Sequence, residues 1–495
     1  MFHPTVPRLF TTITLSLPLW AHAANLPDEP MEIGTQPQFF VDDTIVDNRW
    51  SLKPKHEEVV RVFHPPQKDA HNPIIPNAAG FVAVARDADT GLFRLWYQTH
   101  RWVERRGEEG AEYAVAYAAS HDGTTWERPT LGLHEWGGTR ENNVVWRGYR
   151  NARASGPQIV SLPERDRRGY RYVLTYRTGG AGRGQSGIRL VGSADGIHWD
   201  EKGDALLVEL PSDTLNSLVH DPVRGEYVIY CRPKDRYLIG QKGFLDSGES
   251  RRIARLSSPE LWTKWTGSPQ TILIPDELDV ARGFNRFYGM TVRWHAGIYW
   301  GCLWPFKLNT DIVTELAWSR DGVNFERLPT RPRLIERGAD GAWDDGMVFG
   351  CADWVEVGDE WWLFYSGSDG PHESRDRTTG IGFARLRKEG FISMRGPSGG
   401  GVICTRKIKW PGGKLLVNAD AHAGELKVRV SGERRKPLPG FDYADCQPFT
   451  GDKVAHEVTW QGTSLDALKD QVVHIEFFLK DADLYSFCAN GTPMP

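Results

Sequence analysis

A short sequence motif, Ser-x-Asp-Gly-x-x-aromatic, recurs along the chain and constrains its fold more than any other feature. We call it the turn word. It occurs at residues 120–126, 193–199 and 319–325, and a degenerate copy spans residues 258–265. The aspartate can accept hydrogen bonds from the backbone amides of a tight turn, the glycine supplies a positive φ, and the aromatic ring packs the turn against its neighbour. Such a word closes a β-hairpin, so the chain is predicted to contain repeated hairpins.

A second sequence motif, a predicted strand rich in aromatic residues, accompanies each hairpin. Its copies lie at residues 93–97, 172–176, 227–230, 299–304 and 361–365, each after a turn that contains Gly or Asp. The turn words begin 61–73 residues apart. Repeated groups of several short strands with aromatic turn words are typical of propeller blades. The sequence predicts five blades, and the alternative is a series of unrelated hairpins in a sandwich.

The composition shifts at residues 395–401, a glycine-rich stretch that predicts a linker. Beyond it, polar and apolar residues alternate as in antiparallel strands. The predicted fold is therefore all-β, with a five-bladed β-propeller over residues 24–395 and a β-sandwich over residues 402–492. The strand at residues 36–47 is predicted to close the propeller ring by pairing with the last blade, which removes an exposed edge.

The N-terminus indicates export. Arg8 is followed by an apolar run at residues 9–20 and by Ala21-His22-Ala23, a small-residue cleavage site. These features predict a signal peptide over residues 1–23, cleaved before Ala24, and a secreted or periplasmic protein. The alternative is a buried N-terminal strand. The run is too short to span a membrane.

The overall composition narrows the classes of partner. The net charge of −4 provides no basic surface for nucleic acid or for a membrane. The chain has 20 Trp and 15 Tyr, more than blade interfaces need, and sugar-binding sites use such rings because the apolar face of a pyranose stacks on them. None of the six Cys has CxxC spacing, so no zinc site is predicted, and no cofactor is implied.

Several of these words together resemble a known group of proteins. A Phe-Val-Asp-Asp strand begins at Phe40, Arg-Pro-Thr-Leu-Gly follows the first turn word at residues 128–132, an Asn pair lies at residues 142–143, and the fifth unit reads Gly341 to Gly346. These features resemble secreted bacterial proteins related to glycoside hydrolase families 32 and 43. The resemblance implies a five-bladed propeller, a C-terminal sandwich and a carbohydrate substrate.

The resemblance assigns no catalytic residue. In the invertase-like enzymes three acids project from inner strands into a central pocket, and the first lies in a Trp-Met-Asn-Asp-Pro word. Here residues 76–80 read Pro-Asn-Ala-Ala-Gly and contain no acid. The Arg-Asp-Pro and Glu-Cys words are absent as well.

Candidate catalytic acids therefore come from their position before the predicted blade strands. Glycoside hydrolysis needs two carboxyl groups on either side of the scissile bond, and inner strands of a propeller converge at its axis. The acids at such positions are Asp42, Asp43, Asp213, Glu277, Asp279 and Asp344. The alternative for each is a structural role as a turn cap or as the partner of an arginine. The turn-word acids, by contrast, are predicted to be structural.

Candidate substrate-binding residues are cationic or aromatic groups near the same strands, namely Arg61, Arg282, Arg286, Tyr288 and His372. The arginines suit a substrate carboxylate, sulfate or hydroxyl group, and the alternative is an ion pair between blades. The leading hypothesis is a secreted glycoside hydrolase that acts on chain ends of a polysaccharide-derived sugar. The alternatives are a non-catalytic carbohydrate-binding propeller and a polysaccharide lyase, which needs a Tyr or His base and an arginine for the uronate.

Overall fold

The computed structural model describes residues 29–51, 58–78, 80–105, 108–178, 186–210, 212–233 and 251–489. The predicted signal peptide and its cleavage site lie outside these residues. The described chain is nearly all-β, as predicted. Its helices are a single α-helical turn at Glu277–Ala281 and short 3₁₀ turns at Tyr149–Asn151, Glu164–Asp166, Glu201–Gly203 and Leu465–Leu468. No described helix is long and apolar enough to cross a membrane.

Five antiparallel sheets follow one another along the chain, and we number them I to V. Sheet I contains Val82–Arg86, Phe93–Arg105, Glu108–Ser120 and Val144–Trp146. Sheet II contains Ser155–Ser161, Tyr172–Thr178, Gly187–Ser193 and Ala205–Val208. Sheet III contains Ser217–Asp221, Glu226–Cys231, Ile253–Ser258 and Gln270–Leu273. Sheet IV contains Arg286–His295, Ile298–Phe306, Thr314–Ser319, Glu326–Arg327 and Arg333–Ile335. Sheet V contains Met347–Gly350, Val355–Val357, Glu360–Ser368, Thr379–Arg387, Gln67–Lys68 and Ile75–Pro76.

The first strands of the five sheets lie side by side around one axis, as in a β-propeller. The first strand of sheet II contacts those of sheets I and III, the first strands of sheets III and IV contact each other, and sheet V contacts both sheet IV and sheet I. Two cavities mark the ends of this axis: residues at or before the beginnings of the first strands line one, and residues near their ends line the other. The axis therefore offers a site at each end.

Side chains rather than backbone ladders connect neighbouring first strands. Gln158 of sheet II accepts a hydrogen bond from the backbone amide of Leu218 in sheet III, at 2.5 Å. Ser217 Oγ accepts one from Val292 in sheet IV at 2.9 Å, and Thr291 Oγ1 accepts one at 2.9 Å from Ala352, which lies two residues after the first strand of sheet V. These buried bonds satisfy backbone groups that the converging strands cannot pair with each other.

The recurring turn word does what its chemistry predicts. In the second copy, Asp195 Oδ1 accepts hydrogen bonds from the amides of Ile197 and His198, both at 2.8 Å, and Ser193 Oγ accepts one from Gly196 at 2.8 Å. Gly196 has φ of 78°, and a Cβ there would lie 2.5 Å from the Trp96 ring of sheet I. The indole of Trp96 donates to the Gly196 carbonyl at 2.7 Å. The turn therefore also locks one sheet to the preceding one.

Contacts of the same kind, between an aromatic side chain and a turn glycine, join two other pairs of sheets. Trp362 of sheet V lies 2.6 Å from the position of a Cβ on Gly123 in sheet I. Tyr230 of sheet III donates through its hydroxyl to the carbonyl of Gly322 in sheet IV at 2.9 Å. In each case an aromatic residue of a middle strand reaches the turn of the next sheet. Glycine is required at this position for two reasons: the backbone has a positive φ, and the aromatic ring leaves no room for a Cβ.

Acid should weaken the fold through these turns. Burial raises the pKa of Asp195, but hydrogen bonds from the His198 side chain and from the amides of His198 and Ile197 outweigh it and lower the pKa to about 2. Because this lies below the value of 3.8 for the free side chain, the stabilisation is complete above that value and disappears as the pH falls toward about 2. We expect Asp195→Asn to lose less stability than the wild type between pH 5 and pH 3 in urea titrations. An identical pH dependence in both proteins would contradict this assignment.

Two further sheets, VI and VII, combine the two ends of the chain. Sheet VI contains Met31–Glu32, Val46–Ser51, Gly401–Thr405, Ile408–Lys409, Glu425–Gly432 and Val472–Lys480. Sheet VII contains Gln38–Phe39, Val60–Phe63, Ile392–Arg395, Leu415–Asp420, Asp452–Glu457 and Asp483–Ala489. One hydrophobic cluster draws on both sheets and includes Ile403, Phe477, Val417 and Leu484, all fully buried.

The N-terminal segment does not close the ring as predicted. Residues 36–47 were expected to pair with the last blade, but Gln38–Phe39 pairs with Asp483–Ala489 in sheet VII. The outer strands of sheet V are instead Gln67–Lys68 and Ile75–Pro76, which pair with Thr379–Arg387. A segment 30 residues later in the sequence thus covers the edge, because an edge strand accepts any extended segment that reaches it.

The glycine-rich stretch at 395–401 is also not a linker between separate units. Ile392–Arg395 pairs with Val60–Phe63 in sheet VII, and Gly401–Thr405 pairs with Val46–Ser51 in sheet VI. The stretch therefore connects sheet VII to sheet VI, and each of these sheets also contains strands from the N-terminal part of the chain. The composition predicted a linker, whereas the structure has strands of sheets VII and VI on either side of the stretch.

Candidate functional site

A pocket of about 400 Å³ lies at the end of the axis where the first strands begin. Residues from all five sheets or their flanking loops line it. They include Phe81, Gln98, His100, Trp102, Tyr113, Arg153, Asp213, Arg251, Tyr288, Phe349, His372, Glu373, Arg375 and Arg377. The volume falls in the range of about 300–1,000 Å³ typical of small-molecule sites.

The floor of the pocket is rigid because the chain segments approach closely. Gly156, at the start of sheet II, has φ of 61°, and a Cβ there would lie 2.5 Å from the Thr214 carbonyl oxygen. The Gly156 amide donates to Gln98 Oε1 of sheet I at 2.8 Å. These contacts fix the start of sheet II against the loop that carries Asp213.

Asp213 lies in the pocket, four residues before the first strand of sheet III. Its Oδ1 accepts a hydrogen bond from Arg177 at 2.6 Å, and 61% of its side chain is exposed. Arg177 belongs to the neighbouring sheet II, so the ion pair holds the carboxylate at the junction of two sheets. Of the six predicted catalytic acids, Asp213 is the one that lines this pocket.

Tyr288 and His372 meet on another wall. His372 Nε2 and the Tyr288 hydroxyl are 3.3 Å apart, and the Arg251 guanidinium lies 4.9 Å from the centre of the Tyr288 ring. Burial lowers the pKa of His372, although its hydrogen bond with the Glu373 carboxylate acts in the opposite direction. Burial therefore favours the neutral form of His372, and its Nε2 is positioned to exchange a proton with the tyrosine hydroxyl.

A second tyrosine and arginine face the pocket from sheets I and II. The Arg153 guanidinium lies 4.2 Å from the centre of the Tyr113 ring, and the His100 ring is 6.0 Å from that of Tyr113. Burial raises the pKa of Tyr113 and lowers that of Arg153. Burial also lowers the pKa of His100. The pocket thus contains two tyrosines, each with a histidine beside it and an arginine over its ring.

The N-terminal acids lie elsewhere. Asp42 accepts two hydrogen bonds from Arg320, both at 3.0 Å, and Asp43 accepts one from Arg61 at 2.6 Å. Burial raises the pKa of Asp42, but the hydrogen bonds and charge of Arg320 lower it below its usual value. Asp42, Asp43 and Arg61 join the N-terminal segment to its neighbours and do not line the pocket.

Two of the three acids before sheets IV and V, Asp279 and Asp344, also have structural partners. Asp279 is fully buried and accepts two hydrogen bonds from Arg327, at 2.6 and 2.7 Å. Glu277 is exposed on the same helical turn. Asp344 is buried, with Lys68 Nζ at 2.5 Å and the Tyr365 hydroxyl at 2.9 Å. None of these three acids lines the pocket, contrary to the prediction.

Two predicted arginines are likewise outside the pocket. Arg282 donates to Glu315 at 2.9 Å, and the buried Arg286 donates to Asn285 at 2.8 Å. The structure thus brings together three of the predicted site residues, Asp213, Tyr288 and His372. Their roles in catalysis and binding stay predictions.

The sequence analysis did not identify the arginines that line the pocket. Arg153 lies two residues before the first strand of sheet II, which is the kind of position that selected the candidate acids, but the sequence analysis named no residue there. Arg251 lies two residues before the third strand of sheet III, and Arg375 and Arg377 lie in the loop after the middle strand of sheet V. No sequence pattern connects these positions, because the sheets bring them together from separate blades.

One group in sheet VI has the residue types of a metal site. Ligand atoms of Asp47, Cys404 and His474 lie within 4.8 Å of one another. His474 Nδ1 is 2.8 Å from the Thr405 carbonyl oxygen, which leaves Nε2 for another partner. However, burial raises the pKa of the Cys404 thiol to about 12, and Asp47 forms an ion pair with Arg435. A protonated thiol and a paired carboxylate do not favour a metal ion.

No protein-family model matches the sequence, and no curated protein matches it. Solved structures are similar in fold. An N-acetylgalactosamine deacetylase from F. plautii is 16% identical over 66% of this chain and 95% of its own, with a TM-score of 0.45. A family-43 glycoside hydrolase protein from Bacillus licheniformis is 13% identical over 86% and 99% of the two chains, with a TM-score of 0.43. A xylan β-1,4-xylosidase from Bacillus halodurans is 13% identical over 84% and 99%, with a TM-score of 0.42. Similarity at this level carries no argument about the chemistry of the pocket.

Proposed function

We propose that this protein is a carbohydrate-active enzyme, a glycoside hydrolase that binds the end of a sugar chain in the pocket of sheets I to V. These sheets are then the blades of a five-bladed propeller, and sheets VI and VII form the accompanying sandwich. The observation that supports the proposal most is the pocket itself. It combines Asp213 with aromatic walls, including Trp102 and Tyr288, that suit the apolar faces of sugar rings.

Hydrolysis would use the carboxylates of the pocket. Among the described residues these are Asp213 and Glu373. One carboxyl group protonates the leaving oxygen, and the other attacks the sugar carbon or activates a water molecule. Asp213 is suited to the second role because Arg177 holds it in one orientation. Glu373, which contacts His372 at 3.0 Å, is the other described carboxyl group and is left for the first role.

A second reaction, β-elimination, is favoured by the contact between Tyr288 and His372. In this reaction a base removes the proton next to a uronate carboxylate, the bond from the sugar to the leaving oxygen breaks, a carbon–carbon double bond forms, and the leaving oxygen takes a proton. Tyr288, with its hydroxyl 3.3 Å from His372, could move the protons, and Arg251 could neutralise the carboxylate. The product would absorb in the ultraviolet, and no water would be consumed.

A panel of substrates tests the proposal. The mature protein from Ala24, the form expected after export, is incubated with aryl glycosides and with plant and algal polysaccharides. Released sugars are followed by chromatography and unsaturated products by ultraviolet absorbance. We expect released monosaccharides without new absorbance. New absorbance would show elimination instead, and binding without any product would show a carbohydrate-binding module.

A further inference from the structure

The pocket contains more cationic than anionic side chains. Among the described residues, Arg153, Arg251, Arg375 and Arg377 line it, whereas the lining carboxylates are Asp213 and Glu373. The Asp213 carboxylate is already paired with a further arginine, Arg177, behind the wall. This excess is unusual for a chain with net charge −4. It concentrates positive potential in a partly enclosed space, where water screens it least.

Arg251 shows the imbalance most clearly. Its guanidinium lies 4.9 Å from the ring centres of both Tyr288 and Phe306, which fixes its position. Its Nη1 atom is buried, and no described residue accepts a hydrogen bond from it. No described carboxylate forms an ion pair with Arg251. A buried guanidinium nitrogen without an acceptor is unfavourable, so Nη1 of Arg251 is a donor for which the described residues supply no partner.

Arg153 has similar features beside the other tyrosine of the pocket, Tyr113. Its guanidinium lies over the Tyr113 ring at 4.2 Å, and its buried Nε has no described acceptor. Burial and the nearby charge of Arg177 lower its pKa. Tyr113 and Asp213 raise it, so the described residues compensate the charged form of Arg153 only in part, and an anion in the pocket would add to that compensation.

Arg377 differs from these two because it supports the wall itself. It donates to the carbonyl oxygen of His372 at 2.7 Å and also to that of Ser374. Its role is to hold the loop that carries His372. Of the lining arginines, Arg153 and Arg251 are those with a buried guanidinium nitrogen for which no described residue is an acceptor.

We infer that the pocket recognises a sugar bearing an anionic substituent, a carboxylate or a sulfate, which Arg153 and Arg251 bind together. This inference rests on the proposed function, since it names the substrate class of the same pocket. Guanidinium groups fit both anions, because their planar donor pairs match the spacing of two anionic oxygens. Tyr113 and Tyr288, beneath the two arginines, would then contact the sugar ring.

Binding measurements test the inference without requiring turnover. Galactose, galacturonate and galactose 6-sulfate, and the corresponding three glucose compounds, are titrated into the full mature protein and followed by ligand-observed NMR. At least one anionic compound should bind about tenfold or more tightly than its neutral counterpart. The galacturonate and sulfate arms show which anion is preferred. Added NaCl should reduce the difference, because salt screens charge. Equal responses to the neutral and anionic members of both series, including no response to either, would overturn the inference.

Two variants assign the preference to its residues. Arg251→Met and Arg153→Met keep an apolar stem over the tyrosine ring and remove the charge, and each should reduce the anion preference to about twofold or less. Arg86→Met is the matched control, because Arg86 also lies over an aromatic ring, that of Phe93 at 5.2 Å, but outside this pocket. Undiminished preference in both pocket variants, with melting temperatures near that of the wild type, would overturn the assignment. Preferential binding of anions without cleavage would contradict the proposed enzyme activity and leave this inference intact.

Discussion

Asp213→Asn is expected to reduce sugar release by about 100- to 10,000-fold, the usual effect of removing a catalytic acid or base. The amide cannot donate a proton as an acid or act as a base or nucleophile, although its oxygen can still accept the hydrogen bond from Arg177. Since 61% of the Asp213 side chain is exposed, its ion pair contributes little to stability. Activity should therefore fall while the melting temperature changes little.

The comparison with other acids makes this result specific. Glu373→Gln, the other described carboxylate of the pocket, should also reduce release, and the pH profile of kcat/KM should lose one of its limbs. Glu277→Gln should leave both activity and stability unchanged, because Glu277 is exposed and outside the pocket. Full activity in Asp213→Asn would show that this carboxylate is not catalytic.

Asp279→Ala should cause the largest loss of stability, about 3–5 kcal/mol. Asp279 is fully buried, and it accepts two hydrogen bonds from Arg327, whose side chain is 4% exposed. Its removal leaves the arginine with Glu315 as its remaining carboxylate partner. It also removes the capping box, in which Asp276 and Asp279 each accept a hydrogen bond from the other's backbone amide. The protein would therefore retain a buried cation that is only partly compensated.

Urea titration followed by tryptophan fluorescence measures this loss. The matched control is Glu277→Ala, on the same helical turn but exposed, which should change the free energy of unfolding by less than about 0.5 kcal/mol. The activity of the Asp279→Ala protein that remains folded should equal that of the wild type. A loss below about 1 kcal/mol would contradict the structural role, and a loss of activity in the folded fraction would restore the catalytic interpretation.

Whether a candidate acid reached the pocket depended on its distance from the first strand and on the partners of its side chain. Asp213 precedes its strand by four residues and reaches the pocket. Glu277 and Asp279 precede theirs by more than six residues, with a helical turn between. Asp344 is close to its strand, but Lys68 and Tyr365 hold it inside sheet V. An acid that is close to a first strand therefore reaches the pocket only when its side chain has no buried partner elsewhere.

The N-terminal segment shows a second limit of sequence reasoning. The sequence predicts one strand over residues 36–47, whereas the structure has short strands at Gln38–Phe39 and Val46–Ser51. These strands pair with residues 350 or more positions away, such as Val46–Ser51 with Gly401–Thr405. Several edge strands compete for such a segment, and period-2 alternation does not distinguish between them. The choice depends on which edge the folded sheets leave uncovered.

The sequence by itself determined the repeating hairpins. The turn word acts through hydrogen bonds within about seven residues, such as those from Ile197 and His198 to Asp195, so its outcome depends on nothing remote. Only the tertiary structure decided the composition of the pocket. Arg153, Arg251 and Tyr288 come from three different sheets, and they meet because the first strands converge on one axis. The physical reason is the range of the interactions: turns are fixed by local hydrogen bonds, whereas the charge of a pocket is the sum of side chains that folding brings together.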